Sequence, residues 1–166
     1  MGTQAQGLIL PRDLDFHKDV ERQNELWVIN ENNLDGRNHG GSTVTYYDAG
    51  QETQWTEYRR DSYSGHFMHT ASAIAMSENG TFGNTLDCQD ANDSDGYFTG
   101  PVLWDSDTSV YARVNQNGPL LGSHLDMIHQ TPYGEGIASA GENVYWVFDG
   151  FHNAIVKYDF VQPHIE

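Results

Sequence analysis

One pattern occurs three times along this chain, and it constrains the fold more than any single motif. Ile29-Asn30, Leu86-Asp87 and Phe148-Asp149 each close a short apolar run. Tyr47-Asp48, Trp104-Asp105 and Tyr158-Asp159 each close a second run, an aromatic followed by aspartate. Ahead of each pair lies a segment of small and apolar residues, at 11–16, 71–76 and 134–138. Asp48 and Asp105 are 57 positions apart, Asp105 and Asp159 54. A period of this length marks stacked copies of one supersecondary unit, and each copy needs its neighbours to bury its faces. The aspartate that ends each run is suited to cap the following turn, with the aromatic packing between units.

Each copy reads as three or four strands joined by turns. The first has strands at 13–16, 26–30 and 42–48, the second at 72–76, 81–87 and 101–104. Glu78-Asn79-Gly80 between the first two of these is a hairpin turn signal. In the third, 136–138 precedes a turn at Gly141-Glu142, then 143–148 alternates polar and apolar residues, and 154–160 follows a turn at 150–153. Fourth strands are expected at 54–59 and 109–114. After the third copy only 161–166 remains, which contains Pro163 and has no room for one. No helix is expected; 19–27 reads as a loop before a strand. Glycine (17 residues) and aromatics (12%) suit short strands and tight turns. The chain is read as one domain, 1–166, with repeats at about 8–60, 69–116 and 130–166.

The segments Gly136-Ile137-Ala138, Asn143-Val144-Tyr145-Trp146-Val147-Phe148-Asp149 and Ala154-Ile155-Val156-Lys157-Tyr158-Asp159 resemble NHL-type blades of a β-propeller. The resemblance covers nearly the whole chain and is weakest in the first copy. The period is longer than the ~40 to 50 residues usual for such repeats. The excess falls in loops at 18–25, 32–41, 88–100 and 115–129. What the resemblance implies is an all-β fold: a propeller segment of three four-stranded blades, the third short of its outer strand. Radial closure takes at least four blades. Either the chain is half of a larger protein, or two copies join into one ring; six blades is common in the family, so the leading expectation is a homodimer closing a six-bladed ring. Residues 7–10 would complete the partner's third blade.

Charge narrows the partners. Eight Lys and Arg stand against 24 Asp and Glu, a formal charge of −16. Nucleic-acid binding requires cations that displace counterions from phosphate, and anionic membrane surfaces require the same, so neither partner is expected. Cys88 is alone, which excludes an internal disulfide. No apolar run approaches the ~20 residues of a membrane span, and residues 1–7 lack the features of a signal peptide.

Three groups of side chains carry candidate chemistry. His66 and His69 precede the second inner strand and His124 and His129 the third, so imidazoles at corresponding positions are expected to converge and ligate zinc. Zinc held by channel histidines is also what similarity to the peptidyl-hydroxyglycine amidating lyases, NHL-type propellers, would imply. Asp87, Asp90, Asp93 and Asp95-Gly96 crowd one loop with oxygen donors at spacings that suit calcium, without the full EF-hand pattern. Tyr63, Phe67, Tyr97 and Tyr133 lie on the long loops and offer a binding mouth for a small molecule, sugar or peptide. No nucleophile–base pair or phosphate loop appears, and no catalytic residue is assigned. The leading function is a ligand-binding or scaffold propeller with its ligand at the channel mouth. The alternatives are a zinc-dependent lyase or hydrolase and a structural repeat without activity of its own.

Overall fold

Alternation of aromatic or β-branched residues with polar ones produces strands where the repeat places them. The computed structural model describes residues 2–36 and 40–161. Among them, eleven strands form three antiparallel sheets. The first sheet holds β1 (Pro11–Phe16), β2 (Leu26–Asn30), β3 (Ser42–Tyr47) and β4 (Trp55–Arg59). The second holds β5 (Ala71–Met76), β6 (Thr81–Leu86), β7 (Val102–Asp105) and β8 (His124–Met127). The third holds β9 (Ile137–Gly141), β10 (Val144–Asp149) and β11 (Ala154–Asp159). This third sheet has three strands among the described residues; residues 162–166, where no fourth strand was expected, lie outside them. Strands follow chain order within each sheet, as blade-like meanders do. No helix among the described residues is long and apolar enough to cross a membrane.

Three of the aspartates that close the runs act as turn caps. Asp105 Oδ1 accepts the Asp107 N–H at 2.7 Å, Asp159 Oδ1 the Val161 N–H at 3.0 Å, and Asp149 Oδ1 the His152 N–H at 2.8 Å.

Four expectations are corrected. Residues 109–114 are not a strand: Tyr111 and Val114 N–H groups bond back to Asp107 and Val110, and Asp107 takes up both the N–H and the hydroxyl of Ser109. These local bonds coil the segment and send the Tyr111 ring into the core, fully buried. The outer strand of the second sheet is β8, paired with β7 through Trp104↔His124 and Val102↔Met127, so the second repeat runs past residue 116. His124 therefore belongs to the second sheet and does not lead into the third. A helical turn, α1 (Ser64–Phe67), stands where none was expected, with short 3-10 turns at Gln4–Gln6 and Val20–Arg22. Finally, residues 7–10 are engaged by their own first sheet: Asn30 bonds Gly7 O and the Ile9 N–H, and the Glu31 N–H bonds Leu10 O.

The inner strands lock the sheets together. β1 lies against β5 and β5 against β9. The open edge of β5 is satisfied by carboxylates: Asp13 Oδ2 accepts the Ile74 N–H at 3.0 Å and Asp15 Oδ2 the Met76 N–H at 2.9 Å. Because successive side chains point to opposite faces, Trp27 and Ile29 enter the layer between the first two sheets while Val28 faces away. That layer contains Ile74, Met76, Phe82, Trp104 and Tyr111, with the Trp27 ring 5.3 Å from Phe82 and 5.7 Å from Tyr111. Each such side chain contributes about 1.5–3 kcal/mol by leaving water. The layer between the second and third sheets holds Ala75, Leu103, Tyr145, Val147 and Tyr158. Gly83 permits its closeness: a Cβ there would lie 2.9 Å from Ile137 Cδ1. On the far side of the first sheet, Leu8 partly covers Val28, Val44 and Tyr46.

Candidate functional site

One buried carboxylate assembles the site. Asp61, 1% exposed, accepts the Tyr63 N–H at 2.8 Å with Oδ1. Its Oδ2 accepts the Ser123 N–H at 2.8 Å and the Ser123 hydroxyl at 2.7 Å. The residue that opens α1 is thus tied to the residue that opens β8, and Phe67 is held flat on His124. Their ring centroids are 3.6 Å apart, 21° from parallel. His124 Nδ1 lies 2.7 Å from Leu121 O. A carbonyl only accepts, so Nδ1 carries the proton and Nε2 is the acceptor nitrogen of the neutral ring.

A second stacked pair faces the first. Phe98, from the loop between β6 and β7, lies 3.5 Å from the His129 ring at 18°. His66 leans on both aromatics, edge-on to Phe67 at 4.7 Å and tilted over Phe98 at 5.4 Å. Together with Asp126 these rings line a cleft of about 360 Å³ at the free edge of the second sheet. Asn117 belongs to the same lining and is held by bonds from its amide to His124 O and Leu125 O. Burial lowers the pKa of both His66 and His124, since an imidazolium is poorly solvated there. Both rings are therefore neutral at pH 7. The cleft offers the exposed rings of Phe98 and His129 over a floor of Phe67 and His124, which are only 5% and 6% exposed, together with one carboxylate; among the described residues it contains no positioned nucleophile.

Of the side chains named from sequence, His66, His124, His129 and Phe67 converge here. His69 does not line it: it is 3% exposed, with Nδ1 3.1 Å from Gly65 O and Nε2 3.6 Å from Asp93 Oδ1. Tyr63 packs against the main core layer. Tyr97 meets Phe151 edge-on at 4.9 Å, and Tyr133 accepts the Gly150 N–H through its carbonyl, so neither lines the cleft. Asp87 pairs with Arg12 at 3.3 Å. Asp90 serves its own loop: it accepts the Asn92 N–H at 2.8 Å, the Ser94 hydroxyl at 2.9 Å and the Gly96 N–H at 2.8 Å. The backbone bond from Asn92 leads the causes that hold its carboxyl below the usual range. Asp93 and Asp95 flank it with left-handed backbone, φ 53° and 59°. Burial pushes the Cys88 thiol up, which keeps it protonated. Among the described residues, no three His, Cys, Asp or Glu side chains form a group that could hold a metal ion. Phe98, Asn117 and Asp126 were not anticipated; the only signal for Phe98 was its place beside Tyr97 on a long loop.

Comparison with protein-family models, with curated proteins and with solved structures returns no match to this chain.

Proposed function

We propose that the chain is a non-catalytic recognition module on an NHL-like propeller scaffold, and that it takes its ligand in the cleft beside β8. The observation that carries this reading is the pair of stacked rings, Phe67 on His124 and Phe98 on His129, facing one recess. Flat, weakly hydrated ring faces favour the C–H face of a sugar or an aromatic peptide side chain. His124 Nε2 and the Asp126 carboxylate supply acceptors for the O–H or N–H groups of such a ligand. Neutral imidazoles suit this role, because burying an uncharged acceptor costs far less than burying a cation.

Titration calorimetry against mono- and disaccharides and short aromatic peptides tests the proposal. The expected result is saturable binding by one of these classes, weakened roughly tenfold, about 1.4 kcal/mol, by Phe98→Ala and by His124→Ala. Binding by neither class, or binding that both variants leave unchanged, overturns it. The rival reading, a zinc-dependent lyase or hydrolase, would instead gain support from one equivalent of zinc in protein purified without a histidine tag, lost in His66→Ala and His129→Ala.

A further inference from the structure

The repeat places corresponding apolar residues at the two ends of the stack, and they differ in whether another sheet covers them. Trp27 and Ile29 of β2 precede and include the residue that closes the first apolar run; Trp146 and Phe148 of β10 hold the same positions in the third copy. Trp27 and Ile29 are 0% exposed, because the second sheet packs on them. Trp146 and Phe148 are 47% and 52% exposed, and Ile155 beside them is 64% exposed. The opposite end shows the complement. Ile74 and Met76 of β5, buried to 3% and 0% against the first sheet, are matched in β1 by Leu14 and Phe16, exposed to 56% and 46%. One end of the chain therefore bears the receiving face of an inter-sheet layer, and the other bears the inner-strand part of the inserting face, Leu14 and Phe16; the rest of that face, Val28, Val44 and Tyr46, is already buried with Leu8 packed against it.

The receiving face also has a recess to fill. Gly136 and Ala138 leave a groove of about 190 Å³ bounded by Trp146, Phe148 and Ile155. A Cβ on Gly136 would lie 2.6 Å from the Phe148 ring, so the missing side chain is what allows that ring to lie against β9. Exposed apolar surface of this extent is rare on a face that meets only water.

We infer that the occupant of both faces is a second copy of this chain, with Leu14 and Phe16 of each copy seated on Trp146 and Phe148 of the other. The layer between sheets one and two already joins these two kinds of face within one chain, so the exposed faces are continuous with an interface the fold already makes. A two-fold axis makes the two junctions identical and closes six sheets into a ring with no end exposed. The inference does not depend on the ligand assigned to the β8 cleft.

Light scattering and sedimentation velocity at micromolar concentration test it, with circular dichroism to establish folding. The wild-type chain is expected at twice its 18.7 kDa mass. Leu14→Glu with Phe16→Glu disables one face and Trp146→Glu the other; these side chains are exposed, and each variant alone is expected to be a folded monomer. Mixing the two variants leaves one good junction and is expected to restore a dimer. A monomeric wild type overturns the inference. So does a dimer that survives Leu14→Glu with Phe16→Glu, which would mean that the Trp146 face pairs with itself. Open-ended assembly beyond two copies overturns it as well.

Discussion

Three imidazoles, His17, His66 and His124, have pKa values below the ordinary 6.5, in each case chiefly because burial penalises the charged ring. For His17, beside Ser106 at 2.9 Å, the Arg22 cation adds to the effect; for His124, the Leu121 carbonyl and the Asp61 and Asp126 carboxylates oppose it. A folded state that binds fewer protons than the unfolded chain loses stability as pH falls. The contribution of these rings is fully present above about 6.5 and is lost as pH drops below it. The urea midpoint is therefore expected to hold from pH 7.5 to about 6.5 and to fall from there to pH 5.5, and His66→Gln with His124→Gln to flatten much of that fall. An unchanged midpoint across this range would show that the rings are not held neutral by the fold. His66 was legible in the sequence as a candidate through its place ahead of an inner strand; His124 was named on the same ground, although it opens the edge strand β8. Their role was not legible, because stacking on Phe67 and Phe98 depends on where a helical turn and a loop come to rest.

Among the elements, the sheets depend on one small residue as much as on large ones. Gly83 stands in the middle of β6, where a Cβ would meet Ile137 at 2.9 Å and Tyr145 at 3.1 Å. Gly83→Ala is expected to cost about 1–3 kcal/mol by overpacking the second layer. Trp27→Ala is expected to cost about 3–5 kcal/mol by emptying the first. Chemical denaturation measures both, and a neutral Gly83→Ala would mean that the third sheet can slide on the second. The inner strands could be read from sequence, since alternation and turn residues such as Asn79-Gly80 act over a few positions. The outer strand of the second sheet could not. Val110, Tyr111 and Val114 carry the composition of a strand, yet Asp107 caps a coil there and the Tyr111 ring fills space beside Trp27 and Trp104. Burial of one aromatic outweighs local propensity.

At the scale of the whole molecule, a net charge of −16 opposes folding through self-repulsion. Raising salt from ~10 to ~150 mM shortens the screening length from about 30 to 8 Å. The melting temperature is expected to rise by about 2–4 °C, on the order of 1 kcal/mol for a domain of this size. Because Asp90 already spends its oxygens on its own loop, calcium and magnesium at equal ionic strength are expected to raise it equally; a larger shift with calcium would reveal a specific site. Three antiparallel units and their order were determined by sequence alone, because alternation and turn chemistry are local quantities. Only the tertiary structure decided that β8 forms the edge of the second sheet, and that residues 66, 98, 124 and 129 share one cleft while His69 stays outside it. Those outcomes follow from how whole sheets pack, and from a buried carboxylate joining residues 61 and 123, which no short-range pattern encodes.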